Sequence, residues 1–266
     1  MNILGWSEFI ATREYEPLAV MIGVFDGVHR GHQRLMDAVL SKRPAMKAAV
    51  MTFRNNPKKI LHPQTFKGSI FSLDQKIDSF AEAGFDACVL IDFSQNFGTL
   101  SGADFLSLLA HAGVRFVCIG PNFRCGYRMD TNAQALVGAC DRLGMEARIV
   151  DPVMHGGHPV SSSRIRNAIL EGRLAEAAEM LGRPHIVEVE GIDERSAGEF
   201  MFGTTTDTVL PPDGCYDVVI NPGAGRENIR TSARIEAGKI FAEGLKNRAA
   251  ERVAIVNVVS QECKEK

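Results

Sequence analysis

Short apolar segments alternate with amphipathic segments through the first two thirds of the chain. Five apolar segments rich in Val, Ile and Phe are predicted to be buried strands: LAVMIGV (18–24), KAAVMTF (47–53), ACVLIDF (87–93), RFVCIG (115–120) and EARIV (146–150). The segments between them place apolar residues at helical spacing: HQRLMDAVL (32–40), SLDQKIDSFAEAG (72–84), SGADFLSLLAHAG (101–113) and TNAQALVGACDRLG (131–144). This alternation predicts an α/β fold with a parallel sheet and helices on both of its faces.

The pattern changes in the last third of the chain. Two further helical segments, SSSRIRNAILEG (161–172) and RLAEAAEMLGR (173–183), end next to Pro184. Three β-like segments follow, separated by loops that contain Gly and Pro: IVEVEGI (186–192), GCYDVVI (214–220) and RVAIVNVV (252–259). We therefore predict two domains, an α/β domain over residues 1–184 and a small antiparallel β domain over residues 185–266.

Composition and charge exclude several classes of protein. The 266 residues include 30 Lys and Arg and 32 Asp and Glu, so the net charge of −2 gives no electrostatic reason to expect a nucleic acid or membrane partner. No apolar run approaches the roughly 18 residues of a transmembrane helix. The N-terminal segment lacks the basic region and apolar core of a secretory signal, so we expect a cytoplasmic protein. The six cysteines contain no CxxC pair, which leaves no zinc signature.

The stretch GVFDGVHRGH (23–32) joins the first of these predicted strands to the helix that follows it. Its glycines, Gly23, Gly27 and Gly31, allow the backbone to approach a ligand closely, and the amides at a helix N-terminus favour anions. The stretch is not a P-loop, because no Gly-Lys-Ser/Thr follows. It is not the GxGxxG dinucleotide motif either, because the glycines are spaced four residues apart. The pattern indicates a phosphate-binding turn of another kind.

Two histidines distinguish this stretch from a plain glycine turn. His29 and His32 are three residues apart at the start of a helix, so both imidazoles can face one ligand. There they can donate hydrogen bonds to a phosphate whose charge grows in a transition state. The alternatives are a metal-binding pair, for which Asp26 is the nearby third ligand, or two surface histidines with ordinary hydrogen bonds.

A second stretch, VSSSRIRNAI (160–169), adds another candidate anion site. Ser161, Ser162 and Ser163 stand at a predicted helix start, where serines commonly cap the helix, and Arg164 and Arg166 follow them. Arginine can bind phosphate oxygens through two parallel hydrogen bonds. Two phosphate-binding helix starts in one α/β protein favour chemistry on a nucleoside triphosphate.

The pairing of HRGH (29–32) with SSSRIR (161–166) resembles the HxGH nucleotidyltransferase superfamily. The longer string GVFDGVHRGH resembles the FMN adenylyltransferase module of bacterial bifunctional riboflavin kinase/FAD synthetases. Further similar stretches occur in the same order along residues 15–184: Thr52, Phe53 and Pro57, then FGTLSGADFL (97–106), GPNFRCG (120–126) and EGRLAEAAEMLGRP (171–184).

The resemblance implies a Rossmann-like fold and transfer of an adenylyl group from ATP to FMN, with FAD and pyrophosphate as products. It implies that Mg²⁺ is held by the substrate phosphates rather than by protein side chains. It also implies roles for particular residues: His29 and His32 at the transferring phosphate, Gly23, Phe25, Asp26, Gly27 and Gly31 in the ATP loop, Ser161, Ser162, Ser163, Arg164 and Arg166 at the outer phosphates, and Asn56, Asn122 and Arg124 on the flavin or nucleotide side. For Phe25, simple packing is the alternative.

Two departures from the family pattern bear on function. The chain has TFRNNP, with Asn55 and Asn56 where the family usually has a Pro-His pair. The C-terminal domain resembles a truncated riboflavin kinase barrel, since LPPDGCYDVVI (210–220) is similar to a strand of that module. The module's Pro-Thr-Ala-Asn motif is missing, however, and TTTD (204–207) stands near its place. We therefore expect an FMN adenylyltransferase without riboflavin kinase activity. The alternatives are an HxGH nucleotidyltransferase with another phosphorylated acceptor, or a flavin- or nucleotide-binding protein without catalysis.

Overall fold

The computed structural model describes residues 1–11, 16–93, 97–194, 199–205, 207–222, 227–243 and 252–260. The chain separates into two compact units. The first, called here the sheet unit, comprises Met1–Phe66 and Leu73–Pro159, and the second, called the barrel unit, comprises Lys67–Ser72 and Val160–Lys266. No helix in the described ranges is long and apolar enough to cross a membrane.

The helices and strands of the sheet unit have the following bounds. Its helices are α1 (Trp6–Ala11), α2 (Arg30–Leu40), α3 (Pro57–Leu61), α4 (Leu73–Glu82), α5 (Gly102–His111) and α6 (Ala133–Arg142). Its strands are β1 (Asn2–Gly5), β2 (Leu18–Ile22), β3 (Lys47–Phe53), β4 (Ala87–Ile91), β5 (Val114–Ile119), β6 (Arg124–Cys125), β7 (Thr131–Asn132), β8 (Glu146–Ile149), β9 (Met154–His155) and β10 (His158–Pro159).

Six of these strands form one parallel sheet in the order β1-β4-β3-β2-β5-β8. The five predicted strands are confirmed, and each begins and ends within two residues of its predicted bounds. The edge strand β1 and the helix α1 after it were not predicted. The four residues of β1 are exposed or half-buried, so they form no apolar run that marks a strand.

The central strand β2 shows why helices cover both faces of the sheet. All five of its residues are buried. Val20 and Ile22 belong to an apolar cluster with residues of α1, α5 and α6. Met21 points to the opposite face and is fully buried there, and α2 contacts β2, β3 and β5. Each buried aliphatic side chain of this size stabilises the fold by about 1.5–3 kcal/mol, so the doubly covered sheet is the main core of the unit. The predicted Rossmann-like class is confirmed.

The order of the strands defines where a ligand fits such a sheet. From β2 the chain adds β3 and β4 on one side, and it then returns to add β5 and β8 on the other. Open parallel sheets bind ligands beyond the carboxyl ends of the strands at this point of reversal, which lies between β2 and β5. The loops that follow β2 and β5 contain GVFDGVHRGH and GPNFRCG respectively.

The barrel unit contains two helices and a closed antiparallel barrel. The helices are α7 (Ser162–Leu170) and α8 (Leu174–Leu181), and the strands are β11 (His185–Glu194), β12 (Glu199–Thr204), β13 (Gly214–Asn221), β14 (Ile229–Glu236), β15 (Lys239–Glu243) and β16 (Arg252–Ser260). They close in the order β11-β12-β15-β14-β13-β16. The predicted antiparallel β domain is confirmed, with three strands more than the sequence indicated. Strand β14 was missed because it reads IRTSARIE, with polar residues on its exposed positions and few apolar ones between them.

The predicted division of the chain at residues 184 and 185 stays a prediction. Strand β11 begins at His185, as expected for a β domain that starts there. By packing, however, α7 and α8 group with the barrel, since α8 contacts β11 and β16.

Candidate active site

The loop that follows β2 has an unusual backbone. Phe25 has a φ of 52°, Gly27 of 84° and Val28 of 37°. Glycine adopts this region readily, whereas a non-glycine residue there costs on the order of 1–3 kcal/mol and persists only where its surroundings impose it. Phe25 and Val28 are each 2% exposed, so burial of their side chains holds the loop in this conformation.

Strand β3 fixes the beginning of the same loop. The Gly23 amide donates a hydrogen bond to the carbonyl of Met51 at 3.1 Å, and the Thr52 hydroxyl donates to the carbonyl of Val24, also at 3.1 Å. A Cβ atom on Gly23 would lie 3.0 Å from Cζ of Phe25, so a side chain there would force the Phe25 ring to shift. The glycine that was predicted to shape the loop therefore does so by making room for the Phe25 ring.

His29 begins helix α2 as its N-cap residue. Its Nδ1 atom accepts a hydrogen bond from the His32 amide at 3.4 Å, and its side chain is buried. Because a neutral imidazole that accepts at Nδ1 carries its proton at Nε2, this cap leaves Nε2–H as the donating side of the ring. The helix cap thus defines which nitrogen of His29 can donate a hydrogen bond to a ligand.

The two histidines and two phenylalanines form a continuous ring array. The rings of His29 and His32 stack with centroids 3.6 Å apart and planes at 17°. The Phe25 ring meets His32 edge-on at 5.2 Å, and Phe80 of α4 meets Phe25 at 5.8 Å. Phe25 therefore packs between Phe80 and His32, in agreement with the alternative interpretation of this residue, and its ring orients His32.

A metal site at the histidine pair would need a third ligand close to both imidazoles. Within the described ranges, no three His, Cys, Asp or Glu side chains are grouped so that they could hold a metal ion. Asp26, the nearby carboxylate, is 4% exposed. The imidazole donors and backbone amides of the loop are groups that can bind an anion.

The loop after β5 carries Asn122 and Arg124, and both side chains are exposed. Asp130 holds this loop against helix α5, because its carboxylate accepts hydrogen bonds from the Gly102 amide at 3.1 Å and from the Thr131 hydroxyl at 2.8 Å. A Cβ atom on Gly102 would lie 2.1 Å from Thr131 Oγ1. Asp130 was not singled out in the sequence. It binds Gly102 of FGTLSGADFL, and it lies so close to Gly126 of GPNFRCG that a Cβ atom there would be 2.1 Å from its Oδ1.

Asn56 has a structural partner. It is the N-cap residue of α3, and its side-chain oxygen accepts a hydrogen bond from the Lys58 amide at 3.1 Å. Asparagine is among the best capping residues, so this contact accounts for its position after β3. Its contact with a flavin stays a prediction.

The predicted serine and arginine residues of the phosphate site belong to the barrel unit. Ser161 is the N-cap residue of α7 and accepts a hydrogen bond from the Arg164 amide at 3.3 Å, and Ser162 and Ser163 begin the first turn. Arg166 is 8% exposed and donates from Nε to the carbonyl of Gly68 at 2.7 Å. Arg166 therefore braces residues 67–72 within this unit.

Arg164 differs from Arg166 in its exposure. Its guanidinium lies 3.5 Å from the carboxylate of Glu176, and both side chains are about a third exposed. An ion pair this long and this exposed contributes little to stability. Of the two arginines, Arg164 is the one whose charge is better placed for a ligand.

Comparisons with known proteins point to one family. The family model for FAD synthetase matches residues 11–164. Bifunctional riboflavin kinase/FMN adenylyltransferase of Escherichia coli strain K12 is 27% identical over 245 residues, which cover 87% of this chain and 78% of that protein. The protein of the same description from Listeria monocytogenes is 29% identical over 221 residues, covering 79% and 70%.

Among solved structures, that of a macrolide-efflux protein from Streptococcus pneumoniae superposes with a TM-score of 0.86 and 24% identity, covering 100% of this chain and 93% of the other. At this identity, the similarity establishes the fold alone.

Proposed function

The chain belongs to the FAD synthetase family, and on that premise we propose that it transfers the adenylyl group of ATP to FMN, forming FAD and pyrophosphate. The family is one of nucleotidyltransferases. The observation that carries the proposal is the loop after β2, where a capped helix N-terminus and the Nε2–H side of His29 meet at the carboxyl end of a central strand.

The proposed reaction is a single displacement at phosphorus. An oxygen of the FMN phosphate attacks the α-phosphorus of ATP, the bond between that phosphorus and the bridging oxygen of the β-phosphate breaks, and pyrophosphate leaves. Such a reaction needs no covalent enzyme intermediate, so the protein contributes positioning and charge stabilisation. We assign His29 and His32 to donate hydrogen bonds to phosphate oxygens whose charge grows during transfer.

The remaining predicted residues take supporting roles in this proposal. Asn122 and Arg124, at the end of the neighbouring strand, are assigned to the flavin or nucleotide side. Ser161, Ser162, Ser163 and Arg164 are assigned to the outer phosphates of ATP, where hydroxyls, helix amides and a guanidinium match phosphate oxygens. Arg166 is assigned to support this segment through its hydrogen bond to Gly68.

Mg²⁺ fits the reaction as an ion bound to ATP rather than one held in a protein cage. The carboxylate of Asp26 is buried, and the described residues offer no group of three ligands. When bound to the phosphates, Mg²⁺ would neutralise part of their charge. Magnesium commonly binds through substrate phosphates and water with few protein ligands, which agrees with this assignment.

We further propose that the barrel lacks riboflavin kinase activity. The segment TTTD (204–207) stands near the place of the kinase motif. Two of its residues, Thr205 and Asp207, form backbone hydrogen bonds within the barrel unit. The Ser69 amide donates a hydrogen bond to the carbonyl of Asp207 at 2.8 Å, and the Ser69 carbonyl accepts one from the Val209 amide at 2.8 Å. The Thr205 amide donates to the backbone carbonyl of Glu188 at 3.2 Å. These bonds support a structural role for the segment.

The adenylyl transfer is tested with the purified protein, Mg²⁺, ATP labelled at the α-phosphorus, and FMN. We expect label in FAD and release of unlabelled pyrophosphate. Parallel reactions replace FMN with other phosphate monoesters. Label transferred to another acceptor and not to FMN would contradict the proposed acceptor. Tight binding of ATP and FMN without any labelled product would favour the non-catalytic alternative.

A further inference from the structure

Helix α4 contains a buried lysine that no motif of the sequence singled out. Lys76 is 6% exposed, and its Nζ donates a hydrogen bond to the carbonyl of Phe53 at 3.1 Å. Lysine is almost never buried without a partner, because removing an ammonium group from water is costly. Phe53 is the last residue of β3, so Lys76 binds the backbone at the carboxyl edge of the sheet.

The face of α4 that carries Lys76 also contacts the loop after β2. Lys76 and Phe80 are four residues apart, which places them on one face of the helix. The Phe80 ring packs against Phe25, and the adjacent Asp26 is buried as well. Burial lowers the pKa of Lys76, and the charge of Asp26 acts in the opposite direction and raises it.

We propose that Lys76 is a positioning residue of the active site: from the face of α4 that packs against the loop after β2, its ammonium group binds the end of β3 and balances the charge of Asp26, and so it holds His29 and His32 in their productive orientation. This inference rests on the proposed function, since it assigns Lys76 to the same site. Lys76 itself touches no substrate in the proposal. Its effect passes through Asp26 and the backbone of the loop, which is the segment with positive φ at Phe25 and Val28.

The charge of Lys76 makes the proposal testable by pH. The titratable groups that face it are Asp26 from the loop and Cys88 from β4, and burial raises the pKa of Cys88 to about 12, so the thiol stays neutral. Because the pKa of Lys76 is lowered from its ordinary value, Lys76 loses its proton at a lower pH than an exposed lysine does. Asp26 then loses its counter-charge, and we expect turnover to fall on the alkaline side.

Four variants separate this role from simple packing. Lys76→Met keeps much of the side-chain volume and removes the positive charge, whereas Lys76→Arg keeps that charge at all accessible pH values. Asp26→Asn removes only the carboxylate charge. The fourth variant combines Lys76→Met with Asp26→Asn. Lys42→Met is the matched control, because Lys42 forms an ion pair with Glu146 at 2.7 Å just beyond the other end of α2.

We expect Lys76→Met to lower kcat by about 10²-fold with little change in the KM for ATP, the size of effect that follows from misplacing reacting groups. Lys76→Arg should recover much of the activity and move the alkaline fall to higher pH. The double variant should be no worse than Asp26→Asn alone, because two residues that act as one pair are not additive. Lys42→Met should match the unaltered protein.

Hydrogen exchange tests the same proposal without any enzymatic assay. Amides of residues 23–32 should exchange faster in Lys76→Met and in Asp26→Asn than in Lys42→Met. If the unaltered protein forms no FAD, the proposed function fails while this measurement still decides the role of Lys76. Unchanged exchange of the loop in Lys76→Met, or losses that add fully in the double variant, would overturn the inference.

Discussion

The sheet unit and the barrel unit bury polar side chains in different ways. In the sheet unit, buried Asp26 and His29 lie in the loop that follows β2, and buried Lys76 lies on the face of α4 whose Phe80 packs against that loop. In the barrel unit, buried His185 and Arg166 bind the carbonyls of Val209 and Gly68. The first arrangement holds a loop of ionisable groups in a defined geometry, whereas the second closes connections between backbone segments. Buried polar groups therefore indicate the candidate site only where they surround a loop that carries candidate catalytic residues, as the loop after β2 does.

Backbone strain shows the same contrast. The loop after β2 places Phe25 and Val28 at positive φ, although neither is a glycine. In the barrel, Ala237 and Gly238 have positive φ in the two-residue turn between β14 and β15. Positive φ is the ordinary requirement of such hairpin turns. In the barrel, positive φ serves a turn, whereas in the sheet unit it occurs in the loop of the proposed active site and again at Arg128 and Met129, between β6 and β7.

The largest effect should come from the imidazole of His29. Replacing His29 with Ala also removes a helix cap, whereas His29→Asn keeps a capping oxygen and removes only the imidazole. We expect His29→Asn to lower kcat by about 10²–10³-fold, the usual loss for a donor that stabilises transition-state charge. Thermal unfolding of the variant should stay close to that of the unaltered protein. Near-normal FAD formation by His29→Asn would remove this histidine from the proposed chemistry.

In the barrel unit, the largest effect should be on stability and not on chemistry. His185 is 1% exposed, and burial lowers its pKa to about 4, below the ordinary value of 6.5. Because the unfolded chain then binds the proton more tightly, stability is fully present above pH 6.5 and is lost as pH falls towards 4. The full loss should amount to about 3 kcal/mol.

Amide exchange in β11 and β13, followed from pH 7 to pH 4, measures this loss in the barrel. His185→Gln, which does not titrate, should flatten the dependence. The single tryptophan, Trp6, lies in the sheet unit, so its fluorescence reports that unit separately. Equal acid sensitivity of the barrel in His185→Gln and in the unaltered protein would show that another group governs it.

A smaller effect should separate the two arginines of α7. Arg164→Ala should weaken ATP binding by about 10- to 100-fold, since a charge-assisted hydrogen bond is worth roughly 1.5–3 kcal/mol. Arg166→Ala should instead lower the thermal stability of the barrel unit, because it leaves the Gly68 carbonyl without its donor. Isothermal titration with ATP and thermal unfolding measure the two effects. Unchanged ATP affinity in both variants would contradict the proposed phosphate contacts.

Periodicity was sufficient to predict the central strands of the sheet because they are buried on both faces. Segments such as LAVMI are continuously apolar, and such runs are distinctive in a sequence. Strand β14 of the barrel was missed for the opposite reason, since its few apolar residues, Ile229, Ala233 and Ile235, stand among polar ones. The loop after β2 was found because its glycines and histidines are adjacent in the chain.

Residues that support the site from elsewhere in the chain carried no such signal. Lys76 reaches Phe53 across 23 positions, and Asp130 reaches Gly102 across 28. The one sequence hint for Lys76 is its place on the apolar face of α4, four residues before the fully buried Phe80. A lysine at such a position indicates a buried polar partner, whose identity only the fold reveals.

The difference between the two units is tested most directly by supplying riboflavin and FMN in parallel. Purified protein receives ATP and Mg²⁺ with either flavin, and chromatography separates riboflavin, FMN and FAD. We predict FAD from FMN and neither FMN nor FAD from riboflavin, because the barrel lacks the Pro-Thr-Ala-Asn stretch near residues 204–207. Formation of FMN from riboflavin, abolished when the barrel is altered at Asp207 but retained in His29→Asn, would contradict the account and establish a second active site in the barrel.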